Sequence, residues 1–290
     1  STATARITSI TMSTFSKRLF PILGLLMVLL LSSCGKKSND LTVVFPKLGA
    51  ADCAILMTED HTVVIDAGEV EDADTILDVL SDYHRDTIDL LLISHYDKDH
   101  VGGAAELIDS LTVRRVIGSS YPKESEEYAA YQSALSQAGL TEEILSSPEP
   151  VTISDDFTLN ICPPEQSEYA EDASNNSSVA VAVQYRGTRM LFTGDAMEER
   201  TEELLSEFSG SFDLIKLPHH GRDKATASAL SDAFGSDHTA YLVTSSKKEP
   251  EHKRLAEMLS GPLYLTRDGT VTAVSDGSSV KITQTGDPSS

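Results

Sequence analysis

The stretch DLLLIS, residues 89–94, constrains the fold more than any other, because Leu90, Leu91, Leu92 and Ile93 follow one another without a polar residue. A strand with one wet face alternates apolar and polar side chains. A short run with no alternation requires cover on both faces, as in a sheet sandwiched between layers. The surrounding segments fit such an architecture. LTVVF, CAILM and TVVIDAG are short β-rich runs separated by Pro46, Gly49 and Glu59-Asp60. Ile76, Leu77, Val79 and Leu80 follow helical spacing between Asp72 and Tyr83. GGAAELIDSL reads as a helix, VRRVIGS as a strand, and SEEYAAYQSALSQAGL as a helix closed by Gly139. The second half runs in the same style. FTLNICPP, SSVAVAVQYRG and TRMLFTGD read as strands with a turn at Arg186-Gly187, and MEERTEELLSEF as a helix. DLIKLP, TASALSDAF, TAYLVTSS and EHKRLAEMLSG then alternate strand and helix before a strand-rich tail. Two blocks of this kind predict two sheets packed face to face with helices outside, a four-layer αββα sandwich of the α/β class. No internal repeat points to a solenoid.

The first forty residues read differently. Lys17 and Arg18 precede the apolar run LFPILGLLMVLLL, which ends in Ser32-Ser33-Cys34. A basic region, a short apolar region and small residues before a cut site describe a secretory signal. The apolar run is shorter than the ~20 residues of a membrane span. The stretch Leu31-Ser32-Ser33-Cys34 resembles a bacterial lipobox, which implies lipidation of Cys34 and an exported protein anchored to the cell membrane. The expected organisation is an extension and signal over 1–33, a linker over 34–40, and one domain over 41–290. Cys53 and Cys162 are the remaining cysteines, open to pairing in an exported protein or to burial as free thiols.

Charge narrows the partners. The 290 residues carry 23 Lys+Arg against 45 Asp+Glu, a formal net charge of -22. Such a surface repels polyanions at long range, so it disfavours long nucleic acid as a partner. A smaller ester held locally by bound cations is compatible with it, since the ion's own charge dominates the site. No Gly-x-Ser-x-Gly elbow occurs, which disfavours a serine hydrolase.

Directly after DLLLIS comes His95-Tyr96-Asp97-Lys98-Asp99-His100, followed by Val101, Gly102 and Gly103. The placement is a strand-to-helix loop at the carboxyl edge of a sheet, where α/β proteins hold ligands. Alternation through an extended loop would send His95, Asp97 and Asp99 to one side. N-capping of the helix asks for one short polar side chain and leaves the other ligand-type residues unexplained. Imidazole with carboxylate suits Zn²⁺, Mn²⁺ or Fe, with carboxylate favouring harder ions.

This motif resembles the His-x-His-x-Asp-His signature of the metallo-β-lactamase fold, in the His-x-Asp-x-Asp-His variant of ComEC-type proteins. FPKLGAADCAIL, TVVIDAG, NNSSVAVAVQYRGTRMLFTGD and DLIKLPHHG resemble further family segments in the same order, covering nearly all of residues 41–275. The resemblance implies one or two divalent ions, Zn or Mn. Their ligands would be His95 and Asp97 for one ion, Asp99 and His100 for the other, Asp195 as the bridge, and His219 completing the shell of the second ion. His220 would serve as a proton donor or supporting group, and Asp99 would share in catalysis. Asp52 and Asp66 would orient ligands, and Asn176 and Ser178 would lie on the substrate side. Two departures stand out. No histidine occurs between residues 101 and 218, so the family's third-motif histidine is missing. Glu249-Pro250, with His252 close by, replaces a His-Pro pair and leaves the role of Glu249 and His252 open.

The implied function is metal-dependent hydrolysis by a metal-bound hydroxide, foremost of a phosphodiester in nucleic acid or a wall-polymer ester. A hydrolase of another ester, amide or lactam remains an alternative, as does a non-catalytic surface lipoprotein with a degenerate site. The expected substrate is a small-molecule or polymer ester.

Overall fold

The computed structural model describes residues 40–286. Cys34 and the signal segment lie outside the described residues. Two sheets form the centre. The first is eight-stranded and is built mainly from the N-terminal half. Its chain-ordered members are β1 (Leu41–Phe45), β2 (Ala54–Met57), β3 (Thr62–Ile65), β4 (Leu90–Leu92), β5 (Val116–Gly118) and β6 (Glu142–Ile144). The second sheet is seven-stranded. It holds β7 (Glu149–Ser154), β8 (Phe157–Cys162), β9 (Ala180–Tyr185), β10 (Thr188–Phe192), β11 (Leu214–Lys216), β12 (Ala240–Val243) and β13 (Leu263–Leu265). The tail returns to the first sheet as β14 (Val271–Ser275) against β1, with β15 (Val280–Gln284) outside it.

Both sheets change character along their width. β1, β2 and β3 pair antiparallel, whereas β3, β4, β5 and β6 run parallel. In the second sheet β7 to β10 are antiparallel and β10 to β13 parallel. The parallel portions require crossovers, supplied by α1 (Ala73–Asp82), α2 (Lys98–Val101), α3 (Ala104–Ser110) and α4 (Glu126–Ala138) in the first half. α5 (Ala173–Asn176), α6 (Glu198–Glu207) and α7 (Lys224–Phe234) follow in the second.

Strand alternation sorts the core into layers. Val43, Phe45, Leu56, Val63, Leu90 and Leu92 meet Phe157, Leu159, Val181, Val183 and Met190 between the sheets. Val44, Ile55, Val64, Leu91 and Ile93 face the other way, onto Ile76, Leu80, Leu107 and Tyr131 of the helices. Leu191, Ile215, Tyr241 and Val243 do the same on the second sheet, packing on Leu230 and Phe234 of α7. This is the αββα sandwich, and DLLLIS feeds two of its cores at once. Cys53 and Cys162 are buried free thiols.

The last expected helix, EHKRLAEMLSG, is absent. The chain makes only a short 3-10 turn at Leu255–Met258. His252 donates its N–H to Gly221 O at 2.9 Å, and Leu255 donates to His252 O, so these donors are engaged outside an α-helical ladder. The strand β7 carries Pro150 and lies at a sheet edge, where a missing N–H is tolerated.

Candidate metal centre

Five parallel strands deliver the site from their carboxyl ends. β3 runs out into Asp66, β4 into Ser94-His95, β10 into Thr193-Gly194-Asp195, β11 into Pro218-His219-His220, and β12 into Thr244. The loops meet between the two sheets at one edge, the position where α/β folds place ligands. Gly194 permits the approach. Its φ is +55°, and a Cβ there would stand 2.7 Å from Ser178 Oγ and 3.0 Å from Ser94 Cβ.

Asp99, His100, Asp195 and His220 present their ligand atoms to one another within 4.8 Å. Asp195 Oδ2 lies 3.3 Å from His100 Nε2 and 3.3 Å from His220 Nε2. His220 Nε2 is 3.1 Å from Asp99 Oδ2. His100, His220 and Asp195 are 0%, 1% and 3% exposed, so these contacts are largely out of water.

Hydrogen bonds behind the cluster aim the rings. His100 Nδ1 is 2.9 Å from Asp66 Oδ2, which leaves Nε2 for the cluster. Asp66 is itself fixed by the backbone N–H of Ser94 at 2.7 Å and by its hydroxyl at 2.8 Å. His220 Nδ1 faces Thr244 O at 3.1 Å, so its Nε2 also points inward. A carboxylate or carbonyl partner on the far nitrogen is the usual support for a metal-binding histidine. Asp52 does not face the cluster with a free carboxylate. Both the Lys216 ammonium and the Thr244 hydroxyl bond to it, and Lys216 also donates to Gly194 O at 3.2 Å.

The electrostatics follow from this packing. Burial opposes a charge on His220, but Asp195, Asp99 and Asp52 outweigh it and push the imidazole up to about 9. His100 is likewise held well above the usual range, with burial opposing and Asp195 and Asp66 prevailing. Burial acts upward on Asp195, yet His220 and His100 keep it well below the ordinary carboxylate range. For His95 burial dominates, with His100 adding to it, and the ring falls to about 4.

These residues fit a divalent cation. The donor set is two carboxylates and two imidazoles, a mixture suited to Zn²⁺, Mn²⁺ or Fe. The ring nitrogens His95 Nε2, His100 Nε2 and His219 Nδ1 are buried without a hydrogen bond within the protein, which leaves them open to a cation.

Position by position, the structure brings together Asp99, His100 and Asp195 but uses His220 where the sequence reading expected His219. The physical reason is backbone conformation. An extended exit from β11 would alternate the two rings, but His219 and His220 have φ of 47° and 55° and form a 3-10 turn. The coil swings His220 inward, while His219 contributes its backbone N–H to Asp195 Oδ1 at 3.0 Å. His220 is 1% exposed and belongs to the cluster, whereas the His219 ring is half-buried. His95 adjoins the cluster, its ring centroid 4.1 Å from that of His100. Asp97 is bonded to Lys123 and to the Ser174 hydroxyl and does not join the four-residue cluster. Asn176 is buried. Its side-chain oxygen accepts from the N–H groups of Met197 and Arg200, each at 3.1 Å, clamping the start of α6. Ser178 Oγ accepts from the Asp195 N–H at 3.0 Å, a support beneath the cluster. Glu249 pairs with Arg222 and His252 holds Gly221 by its backbone, so neither enters the cluster.

Lys216, Thr244, Ser94 and Lys123 were not expected in the site. Lys216 carried a signal, as the single charge in the otherwise apolar run LIKLP. A lone ammonium at a buried strand position requires a partner. The other three are ordinary loop residues whose role depends on tertiary approach.

The family model of the metallo-beta-lactamase superfamily matches residues 47–251. This chain therefore belongs to the metallo-beta-lactamase superfamily of metal-dependent hydrolases, and it carries a candidate metal site of Asp and His residues. It is 28% identical over 141 residues to ComE operon protein 3 of Bacillus subtilis, covering 48% of this chain and 18% of that protein. It is also 28% identical over 159 residues to Recombination protein 2 of Haemophilus influenzae, covering 53% of this chain and 18% of that one. The match thus spans under a fifth of either relative. The metallo-beta-lactamase fold protein YhfI from Bacillus subtilis superposes with a TM-score of 0.53 at 14% identity, over 78% of this chain and 96% of that one.

Proposed function

We propose that this protein hydrolyses a phosphodiester with a divalent cation held by Asp99, His100, Asp195 and His220. The observation that carries the reading is the carboxylate share of the cluster, with Asp99 and Asp195 facing one another across His220. Carboxylate-rich sites favour the harder ions that suit phosphoryl oxygens. A cation held by these residues would polarise the scissile group and lower the pKa of water to ~7. The chain's residues do the rest. Asp66 and Thr244 hold the two rings in their tautomers, Ser178 and the His219 N–H hold Asp195, and the His219 ring is left half-buried beside the cluster. The net charge of -22 favours a small diester over long nucleic acid.

Export and anchoring through lipidated Cys34 belong to the same proposal and rest on the sequence motif. Cys34→Ala should release the protein from the membrane fraction. Unchanged fractionation and migration would remove the anchor from the reading.

The activity is tested with bis-p-nitrophenyl phosphate beside a cephalosporin, each with Mn²⁺ and with Zn²⁺. Diester turnover that disappears in Asp195→Asn supports the proposal. Cephalosporin turnover without diester turnover replaces it with an amide or lactam hydrolase, and a metal-replete protein inert on both refutes it.

A further inference from the structure

In the two-ion arrangement implied by the sequence motif, His95 and Asp97 would hold the first ion. The structure fills that half of the site differently. Lys123, in the loop between β5 and α4, places its ammonium on Asp97 Oδ1, and the Ser174 hydroxyl at the start of α5 donates to the same oxygen. Ser174 belongs to the segment that stands where a third-motif histidine would be sought, and it reaches Asp97 as a hydrogen-bond donor.

Three observations converge. Among the described residues, no third His, Cys, Asp or Glu joins His95 and Asp97 in a set within 4.8 Å, so that half lacks the ready ligand set of the deep half. Asn176 is spent on the N–H groups of Met197 and Arg200 and cannot turn in to become a third. Charge makes the same distinction. Asp52, Asp66, Asp99 and Asp195 crowd the deep half around Lys216, His100 and His220, so that once a cation replaces the imidazole protons four carboxylates face a single ammonium. In the other half Asp97 already has its own cation in Lys123.

We propose that Lys123 takes the place of the first metal ion, so that the centre is mononuclear, with one divalent cation in the Asp99–His100–Asp195–His220 set. The ammonium supplies a fixed positive charge on Asp97, where the charge of a first ion would otherwise stand. Its side chain is 34% exposed, so it can meet an anionic substrate oxygen on the open side while remaining on Asp97. The proposal rests on the metal-centre reading above, and its test keeps the two apart.

The test uses the whole protein, stripped with chelator and re-equilibrated with Mn²⁺ or Zn²⁺, with bound metal counted after gel filtration. The parent should retain one equivalent and, with Mn²⁺, give the paramagnetic resonance spectrum of an isolated ion. Lys123→Met should admit a second equivalent and produce the spectrum of a coupled pair, while Lys123→Arg, which keeps the charge, should stay at one. Circular dichroism verifies that each variant is folded. Two equivalents in the parent would overturn the proposal while leaving the metal centre standing. A single equivalent in Lys123→Met would equally overturn it, by removing Lys123 as the occupant. No bound metal in the parent would overturn the metal centre itself.

Discussion

His220 Nε2 stands 3.1 Å from Asp99 Oδ2, although the two residues come from different sheets and from opposite halves of the chain. Neither half of the protein can assemble the cluster alone. This contact also separates the two adjacent histidines by role. His220→Ala should lower bound metal more severely than loss of an outer partner does, which is about 10–100-fold in affinity. His219→Ala should keep the metal, because its ring lies outside the cluster, and should lower turnover by roughly 10²-fold if the ring moves a proton for the leaving group. Metal content and diesterase rate, measured side by side on both variants, decide the matter. Loss of metal from His219→Ala with retention in His220→Ala would reverse the assignment.

Asp66 touches the cluster only through His100 and Ser94. Its carboxylate orders the His100 ring at 2.9 Å while two Ser94 donors hold the carboxylate in turn. Asp66→Asn keeps the shape but replaces one acceptor oxygen by an amide donor. Metal affinity should fall about 10–100-fold with the fold intact. Competition with a chelator of known affinity measures it, and an unchanged dissociation constant would reduce Asp66 to a turn residue.

Lys216 and Asp52 form a buried pair at the floor of the site, the ammonium and the carboxylate both nearly inaccessible. Removing one partner of such a pair leaves an uncompensated buried charge and costs about 3–5 kcal/mol. Lys216→Met should therefore destabilise strongly in urea unfolding with chelator present, which removes any contribution from bound metal. Lys216→Met combined with Asp52→Asn should recover part of the loss, since both charges are then gone. A double variant as unstable as Lys216→Met alone would show that packing, not charge, is responsible.

Much of this was legible in the sequence. The unbroken apolar run of Leu90 to Ile93 demanded two covered faces, and the structure supplies one core on each side of it. The ligand types crowded into residues 95–100 and the aspartate ending FTGD marked where the chemistry would gather. Other features depend on approach between distant segments. The choice between His219 and His220 turned on two positive φ values, which residue identity does not announce for histidine. Asp97 has the residue type of a ligand, and only the meeting of the 119–123 loop with α5 shows that Lys123 and Ser174 hold it. The helix expected over EHKRLAEMLSG had adequate periodicity, but a tertiary bond from His252 to Gly221 drew its first turn elsewhere.

Glu142 offers a pH-dependent test away from the metal ligands. Its carboxylate sits behind the site, accepting from the Tyr131 hydroxyl at 2.6 Å, from Gln132 at 3.1 Å, and from Tyr96, the residue between His95 and Asp97, at 2.8 Å. Burial raises its pKa, and these three donors offset the shift only in part. The folded protein therefore holds this proton more tightly than the unfolded chain, whose glutamates titrate near ~4.3. Below that pH both states are protonated and Glu142 has no effect on stability through its charge. As pH rises through the unfolded and then the folded pKa, the unfolded state ionises first and stability is lost. Glu142→Gln removes the titration while retaining an oxygen to accept from the tyrosines. The melting temperature of the variant relative to the parent should thus improve between pH 4 and pH 7, in chelator-treated protein. An offset that is constant across that range, or one that moves in the parent's favour, would show that the Glu142 carboxylate is not held protonated by the fold.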